Sequence, residues 1–146
     1  RDVAMALEMY AGATGKYPEL SGKNVSLLSG TLVSEREYLK EMPLDPKKNS
    51  KFNFANVDLN NGEFGYLLIK KNNQANQAFV LASVAETYDK ANATEEMVKT
   101  LDANKDFNTI KPCKTVKKAT GAQTSNWTTE ACQVSDPSQL RYVVIR

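Results

Sequence analysis

The stretch Asp102-Ala103-Asn104-Lys105-Asp106 places three oxygen-bearing side chains at alternate positions, which is how calcium loops gather their ligands. The rest of the EF-hand pattern is missing. Phe107 stands where that pattern needs Gly, and no Glu occupies its twelfth position. Two readings follow: a calcium site on Asp102, Asn104 and Asp106, or a solvated polar turn. A second cluster is basic. Lys111, Lys114, Lys117 and Lys118 would attract DNA or an anionic cell surface, and Trp127 would add a ring to stack on a base or a sugar. The competing reading is a solvated loop with one aromatic packed beneath it. The dense acidic group is Glu35, Glu37, Glu41 and Asp45. Glu37 and Glu41 share a face if the segment is helical, where Glu ordinarily serves solvation and capping.

The chain has no histidine, which removes the commonest general base, zinc ligand and pH switch. No nucleophile has a base beside it in sequence and no glycine-rich phosphate loop is present, so catalysis is not expected. The two cysteines, Cys113 and Cys132, cannot by themselves build a four-ligand zinc site. In a polar, loop-like stretch a disulfide is their simplest pairing and implies an oxidising compartment; a reduced pair is the alternative. Asn24, Asn92 and Asn126 each open an Asn-x-Ser/Thr sequon, but about two are expected by chance in so Asn-, Ser- and Thr-rich a chain.

These groups sit in 146 residues, enough for a single domain over 1–146 with one core. Apolar residues make up 41% and charged residues 25%, which argues against wholesale disorder. A net charge of +2 gives no global nucleic-acid footprint. No apolar run approaches the roughly 20 residues of a membrane helix.

Near the start of the chain, Val3, Leu7, Tyr10 and Thr14 recur at helical spacing, and Met5 and Met9 widen the apolar side. Gly15 and Pro18 end this helix near Thr14. Residues 15–51 read as a connection packed by Leu27, Leu28 and Leu32. Within it, Ser34 followed by Glu37 predicts an N-cap and a short helix to about Glu41, stopped by Pro43 and by Asp45-Pro46. Residues 52–86 read as an antiparallel meander: Phe52, Phe54 and Val57 alternate, Asn61-Gly62 predicts the hairpin, Phe64 to Lys70 returns, and Gln77 to Ala85 forms a third strand after a polar connection. In 87–146, Thr94 opens one or two helical turns towards Leu101, residues 102–139 show no sustained period, and Leu140 to Ile145 reads as a final strand.

In this order, "ALEMY", "GKYP", "EYLKEMPLDP", "FGYLLIK" and "AFVLASVAE" resemble the type IV pilins and the related major pseudopilins of type II secretion. The resemblance covers residues 1 to about 86. It implies an α+β fold in which an N-terminal helix packs on an antiparallel sheet of about four strands, followed by a disulfide-closed region carrying Cys113 and Cys132. Major pseudopilins generally lack that bridge, which favours a pilin. The resemblance further implies a non-enzymatic structural subunit of an extracellular, cell-surface filament used in adhesion or motility. Its partners would be other copies of the subunit, the cytoplasmic (inner) membrane before assembly, and a host surface, glycan or DNA. Some pseudopilins bind calcium near the sheet, which bears on Asp102 to Asp106. The family's cleavage motif and signature glutamate fall outside this chain, and about 25 to 30 further apolar residues are expected upstream, continuous with the helix. A monomeric secreted module binding glycan or nucleic acid, and a minor pilin in DNA uptake, are the alternatives.

Overall fold

The computed structural model describes residues 2–20, 22–43, 52–60 and 62–146. Helix α1 (Asp2–Thr14) has the expected bounds and buries Val3, Ala4, Ala6 and Leu7. Met5 and Met9 do not widen that buried side; they are 55% and 51% exposed. A helix advances about 100° per residue, which sets them about 160° and 200° round from Leu7. Beyond α1, Asn24 caps a 3-10 turn (Val25–Leu28) by accepting from Ser26 N, and a π-helical stretch (Gly30–Glu35) follows.

The helix expected from Ser34 to Glu41 does not form; the helical turns end there instead. Leu32 is fully buried, and its carbonyl receives the Tyr38 and Leu39 N–H groups at 2.8 and 3.3 Å. Glu37 adopts φ +55°, so the chain folds back and packs Tyr38, Leu39 and Met42 beside α1. A cap signature lost to a tertiary anchor is the physical reason. Leu28 and Leu32 are core as expected, whereas Leu27 is exposed. Asp45-Pro46 and Asn61 lie outside the described residues.

The expected meander is replaced by two separate pairings. Strands β1 (Phe52–Phe54) and β2 (Val57–Leu59) make their own antiparallel ribbon, turning at Ala55-Asn56, both at positive φ. That is the backbone a two-residue hairpin needs. Strands β3 (Gly65–Lys71) and β4 (Gln74–Val84) form the second hairpin through Asn72-Asn73, again with both φ positive. The polar connection is therefore shorter than expected, and β4 begins at Gln74 rather than Gln77. The ribbon covers the sheet through one close approach: a Cβ on Gly65 would lie 2.4 Å from the Phe54 ring, so only glycine fits.

Further on come β5 (Ala93–Thr94), α2 (Glu95–Lys99), β6 (Thr115–Lys118), β7 (Ala131–Val134) and β8 (Leu140–Ile145). Thr94 caps α2 as its sequence predicts, accepting from Met97 N at 3.2 Å. Strand β8 slots between β4 and β5, so the main sheet has the order β3-β4-β8-β5 and is antiparallel throughout. An N-terminal helix, a four-stranded antiparallel sheet and a Cys113–Cys132 disulfide make the protein α+β.

Both faces of that sheet are buried. Tyr66, Phe79 and Leu81 face α1 together with Leu28 and Leu32. Ile69, Ala78, Val80, Ala82 and Val143 face a second core shared with Phe54, Met97, Leu101 and Trp127. This explains why Ala78 to Ala82 is apolar at every position instead of alternating. The region 102–139 is not simply loop, because β6 and β7 pair in parallel and seal the second core.

Candidate functional site

Helix α1 is held at its C-terminal end by the Gly-Lys-Tyr-Pro turn. Gly15 takes φ +87° while its N–H donates to the Ala11 carbonyl at 2.8 Å, a left-handed exit that a side chain would strain. Tyr17 then packs edge-on against Phe79, ring centroids 4.9 Å apart. The Pro18 carbonyl accepts from the buried Tyr66 hydroxyl at 2.8 Å. Burial, followed by the nearby phenols Tyr17 and Tyr10 and by Glu19, pushes the Tyr66 hydroxyl far above its ordinary value. Burial and then Glu8 raise Tyr17 as well. The helix is also pinned to the chain end, Arg146 meeting Glu8 at 2.9 Å.

Among the described residues, the other side of α1 is partly covered, with Met5 and Met9 about half exposed. Met5, Ala6 and Met9, with Tyr38 and Leu39, line a groove of about 390 Å³ rimmed by Asp2, Lys40 and Glu41. Arg36 lies over the Tyr10 ring at 5.3 Å. Glu37 and Glu41, expected to share a helix face, stand on no helix, and Asp45 lies outside the described residues.

At the opposite end, Cys113 and Cys132 are joined, with a Cα–Cα distance of 5.8 Å and a sequence separation of 19. Both are buried beside Met97, whose sulfur lies 3.6 Å from Cys113 Sγ. The bridge staples the parallel ladder in which Val116 faces Cys132. Trp127 does not present its ring for stacking. It is 6% exposed and donates its indole N–H to the Met97 carbonyl at 3.0 Å, so it is part of the second core. Lys111, Lys114, Lys117 and Lys118 are all exposed, and Lys114 reaches Glu130 at 3.5 Å. A pair this solvated contributes about 0–1 kcal/mol.

In the Asp102 to Asp106 stretch each carboxylate has a local structural task. Asp102 Oδ1 accepts from Asn104 N at 2.8 Å, and Asp106 Oδ1 from Asn108 N at 2.9 Å. The segment seals the end of the β3 edge: Lys70 N donates to Lys105 O and Phe107 N to Lys70 O, at 2.9 and 2.7 Å. Among the described residues, no three His, Cys, Asp or Glu side chains are close enough to hold a metal ion.

Two features escaped the sequence. Arg141 is fully buried in β8, donating to the Ser138 and Leu140 carbonyls at 2.7 and 3.0 Å, meeting Glu95 at 3.5 Å and lying over the Phe52 ring. Nothing in an exposed-type residue on a terminal strand announces such a junction. Tyr142, Glu86, Asp89 and Lys90 border a groove of about 520 Å³ whose walls come from segments more than fifty positions apart. Thr87 donates to the Asp89 carboxylate, and that bond holds the carboxyl below its ordinary value. No helix among the described residues is long and apolar enough to cross a membrane. No family model matches the chain, and neither does any curated protein or solved structure.

Proposed function

We propose that this chain is the globular domain of a filament subunit of the type IV pilin kind. The reading rests on the two-sidedness of α1. Val3, Ala4 and Leu7 are buried against the sheet, yet Met5 and Met9 carry apolar surface on the opposite side, beside the groove lined by Ala6, Tyr38 and Leu39. A helix apolar on two sides can serve two partners, and this reading places the second outside the domain. In the proposal that partner is the helix bundle of a filament, reached through an upstream apolar helix continuous with α1. The Gly15 to Pro18 turn supports the reading by fixing how the chain leaves the helix for the sheet. The disulfide supports an extracytoplasmic, cell-surface address, because such bridges persist in oxidising compartments.

The binding-module alternative loses its stacking residue with Trp127 in the core, leaving only solvated lysines. The subunit is accordingly proposed as structural and non-enzymatic, with copies of itself as principal partner. Reading the coding sequence upstream of Arg1 tests this. About 25 apolar residues in helical continuity are expected. A short cleavable leader ending in small residues would contradict the filament reading and favour a secreted monomer.

A further inference from the structure

We infer that Asn126 is an acceptor for asparagine-linked glycosylation, and that Asn24 and Asn92 are not. The inference takes the extracytoplasmic address from the proposed function and is otherwise carried by the carboxamides. The three sequons are equivalent in sequence but not in the fold.

Asn92 spends its whole side chain on the terminal strand: Nδ2 donates to the Val143 carbonyl at 2.9 Å, and Oδ1 accepts from Val143 N at 2.7 Å. Asn24 is buried, donates Nδ2 to the Glu63 carboxylate, and caps Ser26 N and Oγ through Oδ1 at 2.9 and 2.8 Å. Asn126 differs at the atom that matters. It is exposed, and among the described residues its Nδ2 has no hydrogen-bond partner. Its Oδ1 accepts from Thr128 N and Oγ1 at 3.0 and 2.9 Å, which puts the sequon hydroxyl beside the carboxamide. The middle residue, Trp127, points into the core, so Asn126 and Thr128 are presented outward together on the irregular segment between β6 and β7.

The chemistry needs such a nitrogen. An amide is a poor nucleophile until its C–N bond is twisted out of conjugation, and hydrogen bonds that Nδ2 donates within the fold hold it in plane. The co-reactant is a saccharide linked to a polyprenyl pyrophosphate. Asn126 Nδ2 forms a bond to the anomeric carbon as the bond from that carbon to the pyrophosphate oxygen breaks. The electron pair leaves with the lipid pyrophosphate, and one Nδ2 proton passes to a carboxylate of the transferase. At Asn92 the same step would require tearing two bonds from β8, and at Asn24 it would unseat a helix cap.

The test is transfer in vitro to the purified, folded, disulfide-bonded chain. It uses a purified sequon-specific oligosaccharyltransferase and its lipid-linked oligosaccharide, read by intact mass and glycopeptide mapping. One glycan on Asn126 is expected, abolished in Asn126→Gln and in Thr128→Ala and retained in Thr128→Ser. The reduced, alkylated and denatured chain is the second substrate, and there Asn24 and Asn92 should also become acceptors. Modification of folded Asn24 or Asn92 in preference to Asn126 would overturn the inference. So would failure of folded Asn126 to react, whether or not the denatured chain does. Because the assay needs neither cells nor filaments, its failure is distinguishable from failure of the filament reading.

Discussion

Truncating Leu7 to alanine separates the two sides of α1. Leu7 is fully buried, in a cluster with Tyr66, Phe79 and Leu81. Removing a leucine side chain from such a site costs about 2–5 kcal/mol. At about 2–4 °C per kcal/mol for a domain of this size, the midpoint of thermal unfolding should fall by about 4–20 °C. Met9 is the internal control, because it sits on the same helix at 51% exposure. Met9→Ala should stay within about 0.5 kcal/mol of the parent. Urea melts followed by far-ultraviolet circular dichroism measure both variants. A Leu7→Ala loss below about 0.5 kcal/mol, or equal losses for the two variants, would refute the orientation of α1 and the two-sided argument built on it.

The unreduced, denatured protein should show no titratable thiol, and opening the bridge by Cys113→Ala with Cys132→Ala should cost about 3 kcal/mol on the chain-entropy account. Two free thiols would contradict the bridge. The Trp127 indole should emit at short wavelength and resist acrylamide in the folded state; emission and quenching like free tryptophan would return the ring to the surface. Tyr66, whose folded value lies above the ordinary 10.0, favours folding fully below about pH 10. From there upward the unfolded chain ionises first and that contribution is lost. Tyr66→Phe should cost about 0.5–1.5 kcal/mol at neutral pH, through the Pro18 hydrogen bond, and flatten the alkaline decline. An unchanged alkaline slope in Tyr66→Phe would assign the decline to other groups.

Signals that are local and strong survived folding. The bounds of α1 follow from helix formers ended by Gly15 and Pro18, and Thr94 with two acids after it capped α2 where the sequence placed it. Signals decided by distant partners did not. Ser34 and Glu37 spell a helix start, but the burial of Leu32 and its carbonyl's two acceptances outweigh a cap. Ala55-Asn56 made a tight turn with no glycine, and the unbroken apolar run Ala78 to Ala82 answers to a second core on the other face of the sheet, which no local pattern announces. For the candidate surfaces, charge was legible and direction was not. Lys117 and Lys118 are exposed as their type predicts, whereas Trp127 turned inward, donating its indole N–H to the Met97 carbonyl of α2 within the second core. Met5 and Met9 were legible as helix positions, but which side the sheet would take depended on partners across the fold.

The central claim, that α1 links this domain to a filament core, is tested most directly in cells that assemble type IV pili. The measurement is the amount of subunit recovered in sheared filaments. It compares the full precursor with the chain from Arg1 to Arg146 exported behind a cleavable leader. The account predicts that the precursor enters filaments and that the exported domain, though folded and disulfide-bonded, does not. Polymerisation of the domain alone, or exclusion of the folded precursor from filaments, would contradict it.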